Sequence, residues 1–134
     1  MWLLVDALFS LLFARAAMFF LPFRWIAGWL GTPGVEDLSI VADEEIHTAQ
    51  EIGWAVAVVA RRVPWDSRCL AQALAAAGML RRRGLEGTVS FGACPGDSDG
   101  FKAHAWLRVG SCMVTGGAGY ERFTAFTTFS RRRP

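Results

Sequence analysis

The spacing of apolar residues changes near Gly84, from a period of about 3.6 to a period of 2, and a chain with that change must fold as helices first and a sheet second. Upstream, Ile46, Ala49, Gly53, Val56, Ala60 and Val63 recur at helical spacing. Asp43, Glu44 and Glu45 fall in the first turn and Arg61-Arg62 in the last, as the helix dipole prefers. The pattern predicts a helix over about 43 to 62, ended by Pro64. A further helix follows, with Ser67 as its N-cap, Leu70, Ala73, Leu74, Ala77 and Leu80 as its buried stripe, and Gly84 as its stop after three arginines.

Downstream, Thr88 to Ala93 is short and β-prone, and Phe101 to Val109 alternates. Phe101, Ala103, Ala105, Leu107 and Val109 share one face, while Lys102, His104, Trp106 and Arg108 share the other. Gly110-Ser111 predicts a two-residue hairpin turn into a partner strand from Cys112 to Thr115, and Tyr120 to Phe129 adds one more strand.

Ahead of this pattern lies an apolar start. Residues 2 to 21 read as one helix stopped by Pro22, Phe23 to Leu30 as a shorter one closed by Gly31, and Thr32-Pro33-Gly34 as a turn. This start causes most of an imbalance, 53% hydrophobic against 19% charged, that excludes intrinsic disorder. Asp6, Arg15 and Arg24 limit each uncharged run, so a clean transmembrane span is not expected. Asp6 also stands where a signal peptide would carry a cation. Burial against the domain, a peripheral membrane anchor and a docking surface all remain open for this segment.

At 134 residues the chain suits one domain, divided here into an apolar helical segment at 1–31 and the main domain at 35–130. A net charge of +2 is too weak to imply nucleic acid, and the runs Arg81-Arg82-Arg83 and Arg131-Arg132-Arg133 read as a helix end and a solvated tail. Three cysteines cannot all pair internally, which points to a reducing cytoplasm.

Cys69 opens the second of the two central helices, where unpaired amides and the positive end of the dipole stabilise negative charge on sulfur and on an oxyanion. Arg68 adds positive charge beside it. On its own Cys69 reads equally as a small core residue. His104 changes the balance, because an imidazole can take the thiol proton and return it to a leaving amine. The other histidine, His47, sits early in an amphipathic helix and reads as solvated. Cys94 and Cys112 lack the spacing of metal ligands and read as strand residues; no metal and no cofactor is expected. Asp97-Ser98-Asp99-Gly100 reads as a polar turn, lacking the later ligands of a calcium loop.

The run Val63-Pro64-Trp65-Asp66-Ser67-Arg68-Cys69-Leu70-Ala71-Gln72-Ala73-Leu74-Ala75, followed by Leu80-Arg81-Arg82-Arg83-Gly84-Leu85, resembles the cysteine helix of the B2 leader-peptidase family of lasso-peptide biosynthesis. Ala103-His104-Ala105-Trp106-Leu107, Val114-Thr115-Gly116-Gly117 and Tyr120-Glu121-Arg122-Phe123 are similar to that family's histidine strand and C-terminal end.

The resemblance implies a transglutaminase-like (papain-like) α+β fold and a cysteine protease that removes the leader from a ribosomally made precursor before macrolactam closure. It implies Cys69 as nucleophile and His104 as base. The family's third member, usually an aspartate, should fall near Thr115 to Gly117, where this chain has no acid. Thr115, Glu121 or a backbone carbonyl is then expected to orient the imidazole, and Trp65 and Trp106 to flank the cleft. Partners follow from the same resemblance: the precursor peptide, a separate leader-recognition (B1-type) protein for which this chain has no room, and an ATP-dependent macrolactam synthetase. Transglutaminase-like acyl transfer to an amine and a non-catalytic, membrane-associated or partner-binding subunit are the competing readings.

Overall fold

The computed structural model describes residues 2–33, 42–63, 69–95, 101–110, 112–116 and 124–130. Four helices precede most of the sheet: α1 (Trp2–Phe20), α2 (Phe23–Leu30), α3 (Asp43–Ala60) and α4 (Cys69–Arg82). The strands are β1 (Thr32–Pro33), β2 (Thr88–Pro95), β3 (Phe101–Val109), β4 (Cys112–Thr115) and β5 (Thr124–Ser130). They form one antiparallel sheet in the order β1-β5-β2-β3-β4. The fold is α+β, as the change of period requires.

The central element is α4, which lies against β3 and β4 and contacts both α3 and α1. Its expected stripe is too narrow. Ala71, Ala75, Ala76 and Met79 are buried along with Ala73, Leu74, Ala77 and Leu80, while Leu70 is only partly so. Alanine makes this enclosure workable, because short side chains let helices and strands approach from several directions. The helix ends in a Schellman arrangement: Gly84, at φ 76°, donates to Arg81 O at 3.0 Å, and Leu85 donates to Leu80 O at 2.9 Å. In α3 the buried stripe runs through Ala49, Ile52, Ala55 and Val56, so the helix is turned somewhat from the expected face.

The arginines of Arg81-Arg82-Arg83 do more than end a helix. The Arg81 guanidinium lies 4.0 Å from the centre of the Trp29 ring and donates to Leu30 O at 2.8 Å, which caps the C-terminal end of α2. Arg83 pairs with Asp6 of α1 at 2.9 Å, and Arg82 pairs with the same carboxylate while donating to Ser10 Oγ at 2.8 Å. Two N-terminal helices are thus fastened to the end of α4, and Ala7, Leu11, Ala14, Ile26 and Leu30 enter the common core. One expected turn is a strand instead: Thr32 and Pro33 pair with Ser130 and Phe129. Proline is tolerated there because β1 is an edge strand.

Candidate active site

Cys69 is the first residue of α4. Its sulfur accepts a hydrogen bond from the Ala105 amide at 3.3 Å, so it rests against the peptide that joins His104 to Ala105. The contact follows from alternation in β3. Ala105, Leu107 and Val109 point into the helical layer and are buried, and Ala105 is short enough to admit the end of α4. His104, partly buried, takes the other face of the strand. It sits opposite Gly92 in the β2–β3 pair, so the neighbouring strand places no side chain beyond hydrogen there.

The imidazole is held from below by main chain. His104 Nε2 lies 2.7 Å from Gly116 O. A carbonyl oxygen only accepts, so Nε2 carries the proton and donates it, and Nδ1 is the unprotonated nitrogen of the neutral ring. Trp106, two residues along the same strand face, is buried with its ring centre 5.8 Å from that of His104 at a tilt of 31°. It is a side wall for the imidazole and part of the packed interior together.

Gly116 is suited to this task by geometry. Its φ of 70° is a region that favours glycine, and a Cβ built there would lie 2.5 Å from Ala105 O and 3.0 Å from Trp106 Cβ. The chain must pass that close to β3 for the carbonyl to reach His104. A backbone carbonyl was among the expected orienters, and the signal for this one was the glycine directly following a strand in the window where an aspartate was missing.

Thr115 departs from expectation. Val109 pairs with Cys112 as a two-residue turn requires, but a bulge at Val114 then pairs Thr115 with Leu107 rather than with Trp106. The shift by one carries Thr115 to the face of Leu107, away from that of His104. Its Oγ1 is buried and finds no hydrogen-bond partner among the described residues. Trp65 and Glu121, as well as Ser67, Arg68 and the 97–100 turn, lie outside the described residues.

The remaining candidates sit elsewhere. Cys112 starts β4, and burial pushes its thiol up, partly opposed by a hydrogen bond with the Gln50 side chain. Cys94 belongs to β2. His47 is exposed and paired with Glu51 one turn along α3 at 2.6 Å.

A cysteine at a helix start, packed on the peptide beside a strand histidine whose far nitrogen is anchored, is the arrangement of thiol acyl-transfer domains on α+β scaffolds. The chain matches the transglutaminase-like superfamily over residues 17–128, and it belongs to that family. Cysteine-based catalysis is usual there. No curated protein and no solved structure matches the chain.

Proposed function

We propose that the protein is a cysteine peptidase that cleaves the leader from a lasso-peptide precursor before ring closure, in the cytoplasm. A separate recognition protein delivers the leader, and an ATP-dependent macrolactam synthetase takes the product. The observation that supports the chemistry is that Cys69 Sγ accepts from the peptide joining His104 to Ala105, while the His104 ring is anchored through Nε2 to Gly116 O. The substrate class rests on the resemblance of the cysteine helix and the histidine strand to the leader peptidases.

In this reading His104 Nδ1 accepts the Cys69 thiol proton as sulfur attacks the scissile carbonyl. The oxyanion forms near the Cys69 amide, one of the helix-start N–H groups with no intrahelical acceptor. Collapse breaks the C–N bond, and Nδ1 returns its proton to the departing amine. Water then adds to the thioester with Nδ1 as base, releasing the leader carboxylate and restoring the thiol. The Gly116 carbonyl keeps one tautomer throughout, because at every stage it can only accept from Nε2.

Mass spectrometry of precursor incubated with the protein and its recognition partner tests this. Two fragments whose masses sum to precursor plus one water support peptidase action. Incorporation of an added amine supports acyl transfer instead, and unchanged precursor overturns both.

A further inference from the structure

Among residues 2–31 the sole acid is Asp6, and Arg82 and Arg83 already hold it. The exposed charges of α1 and α2 are therefore Arg15 and Arg24, both cationic. The outward face of α1 is otherwise apolar, with Trp2 85%, Phe9 54%, Phe13 73%, Phe19 75% and Phe20 77% exposed. An 18-residue window of this helix has a mean hydropathy of 1.9, enough in length and composition to cross a membrane. Yet the stripe Ala7, Ser10, Leu11 and Ala14 is docked in the fold, which holds the helix along the domain. A helix apolar all round and covered on one side needs a second cover.

Beneath this face lies a cavity of about 470 Å³ between α1, α2 and α4, walled by Phe13, Leu21, Trp25, Trp29 and Leu74, with Arg82 at its margin. Its lining is almost wholly apolar, and Phe13, Trp25 and Trp29 belong both to it and to the exposed face. A protein partner would be expected to find about one hydrogen bond per 100–200 Å². The outward face of α1 offers none in its middle. Hydrocarbon asks for none, and indole rings with flanking arginines suit the interfacial zone of a bilayer.

We propose that the outer face of α1 and α2 rests in the plane of an anionic lipid bilayer, with one lipid acyl chain entering the cavity between α1, α2 and α4. Most of α1 lies ahead of the region matched to the superfamily, whereas α2 lies within it. The proposal stands whether or not Cys69 cleaves a peptide.

Flotation of the intact protein with phosphatidylcholine vesicles, with and without phosphatidylglycerol, tests it. Flotation with the anionic vesicles is expected, and the Arg15→Gln, Arg24→Gln variant should bind about thirtyfold more weakly at low salt. Phe13→Ser with Trp25→Ser removes exposed rings and should abolish flotation. Gly78→Leu fills the cavity from α4, where a Cβ meets Trp29 at an ordinary 3.8 Å. It should reduce quenching of tryptophan fluorescence by brominated acyl chains. Protein that stays at the bottom of the gradient with both vesicle types overturns the proposal. So does undiminished flotation of the Phe13→Ser, Trp25→Ser variant, or quenching unchanged by Gly78→Leu. Loss of a protein partner from that double variant, with no vesicle binding by the parent, assigns the face to a docked protein.

Discussion

Helices α1 and α4 are both rich in apolar residues, and the molecule treats them in opposite ways. Around α4 the protein supplies every cover: α1, α3, β3 and β4 all pack on it. Around α1 it covers one side, with α3 and α4, through the mostly small stripe Ala7, Ser10, Leu11 and Ala14. The outward residues of α1 are large and aromatic, whereas most of those that α4 buries are alanines. Small residues bring elements close and fix them; large exposed ones wait for something outside. The thiol proposed as nucleophile is accordingly on α4, and the surface proposed to meet lipid is largely on α1.

The largest expected effects test that division directly. Cys69→Ala should abolish cleavage while the melting temperature hardly changes, because the side chain is small and only partly buried. His104→Ala should lower kcat/KM by roughly 10²- to 10⁴-fold, the range for positioned acid–base catalysis. A His104→Ala enzyme within tenfold of the parent breaks the assignment. Substitutions on the outward face of α1, such as Phe13→Ser, should leave peptide cleavage in detergent-free solution within twofold of the parent; a collapse there would show that the two helices do not divide the work.

A smaller loss is expected at Gly116, which acts on the imidazole through its carbonyl. Gly116→Ala must move the strand end away from Ala105 O, since 2.5 Å is no distance for a Cβ. Misplacing the ring by a fraction of an ångström should cost about tenfold to a hundredfold, mainly in kcat. Thr115→Val should be nearly silent in activity, and because it replaces a buried hydroxyl with no partner among the described residues it should not destabilise the fold. A KM effect at Gly116 with kcat intact would mean the glycine shapes the substrate cleft and does not position His104.

Stability should follow the covers. Leu80 in α4 and Leu11 on the inner stripe of α1 are both fully buried, and Leu→Ala at either should cost about 2–5 kcal/mol in urea unfolding. Phe13→Ser should stay within about 0.5 kcal/mol. If Leu11→Ala costs little, α1 is not fastened as its buried stripe implies.

Part of this architecture was legible in the sequence, and the gaps have physical causes. The change of period near Gly84 located the sheet, and the alternation in β3 separated His104 from Ala105 and Leu107. The full enclosure of α4 was not visible, because alanine reads as neutral and burial on all sides leaves no amphipathic stripe to detect. The bulge at Val114 was invisible too: one extra residue moves Thr115 to the opposite face, and nothing in Val114-Thr115-Gly116 announces it. The ion pairs of Asp6 with Arg82 and Arg83 join positions far apart in sequence, so local spacing could not reveal them. At the candidate site, the family resemblance singled out Cys69 and His104, while the group bound to the imidazole Nε2 is a carbonyl, which every residue has.

The smallest effect concerns the other described thiol, on the hairpin that α3 and α4 cover. Burial raises the pKa of Cys112, and the hydrogen bond with the Gln50 side chain offsets part of the rise. The folded protein therefore keeps this proton at alkaline pH where an unfolded chain releases it. The folded state then binds more protons than the unfolded one, and the linkage relation makes stability fall as pH rises through the ordinary thiol range. Below that range the contribution is fully present. Urea midpoints of the parent and Cys112→Ser should thus agree more closely in their pH trend near neutrality than in alkali, where the parent should lose more. Gln50→Ala removes the opposing hydrogen bond, so it should steepen the alkaline loss and slow the alkylation of Cys112 at a fixed pH. Equal slopes for the parent and Cys112→Ser would show that the thiol on the covered hairpin meets water as freely as the outer face of α1.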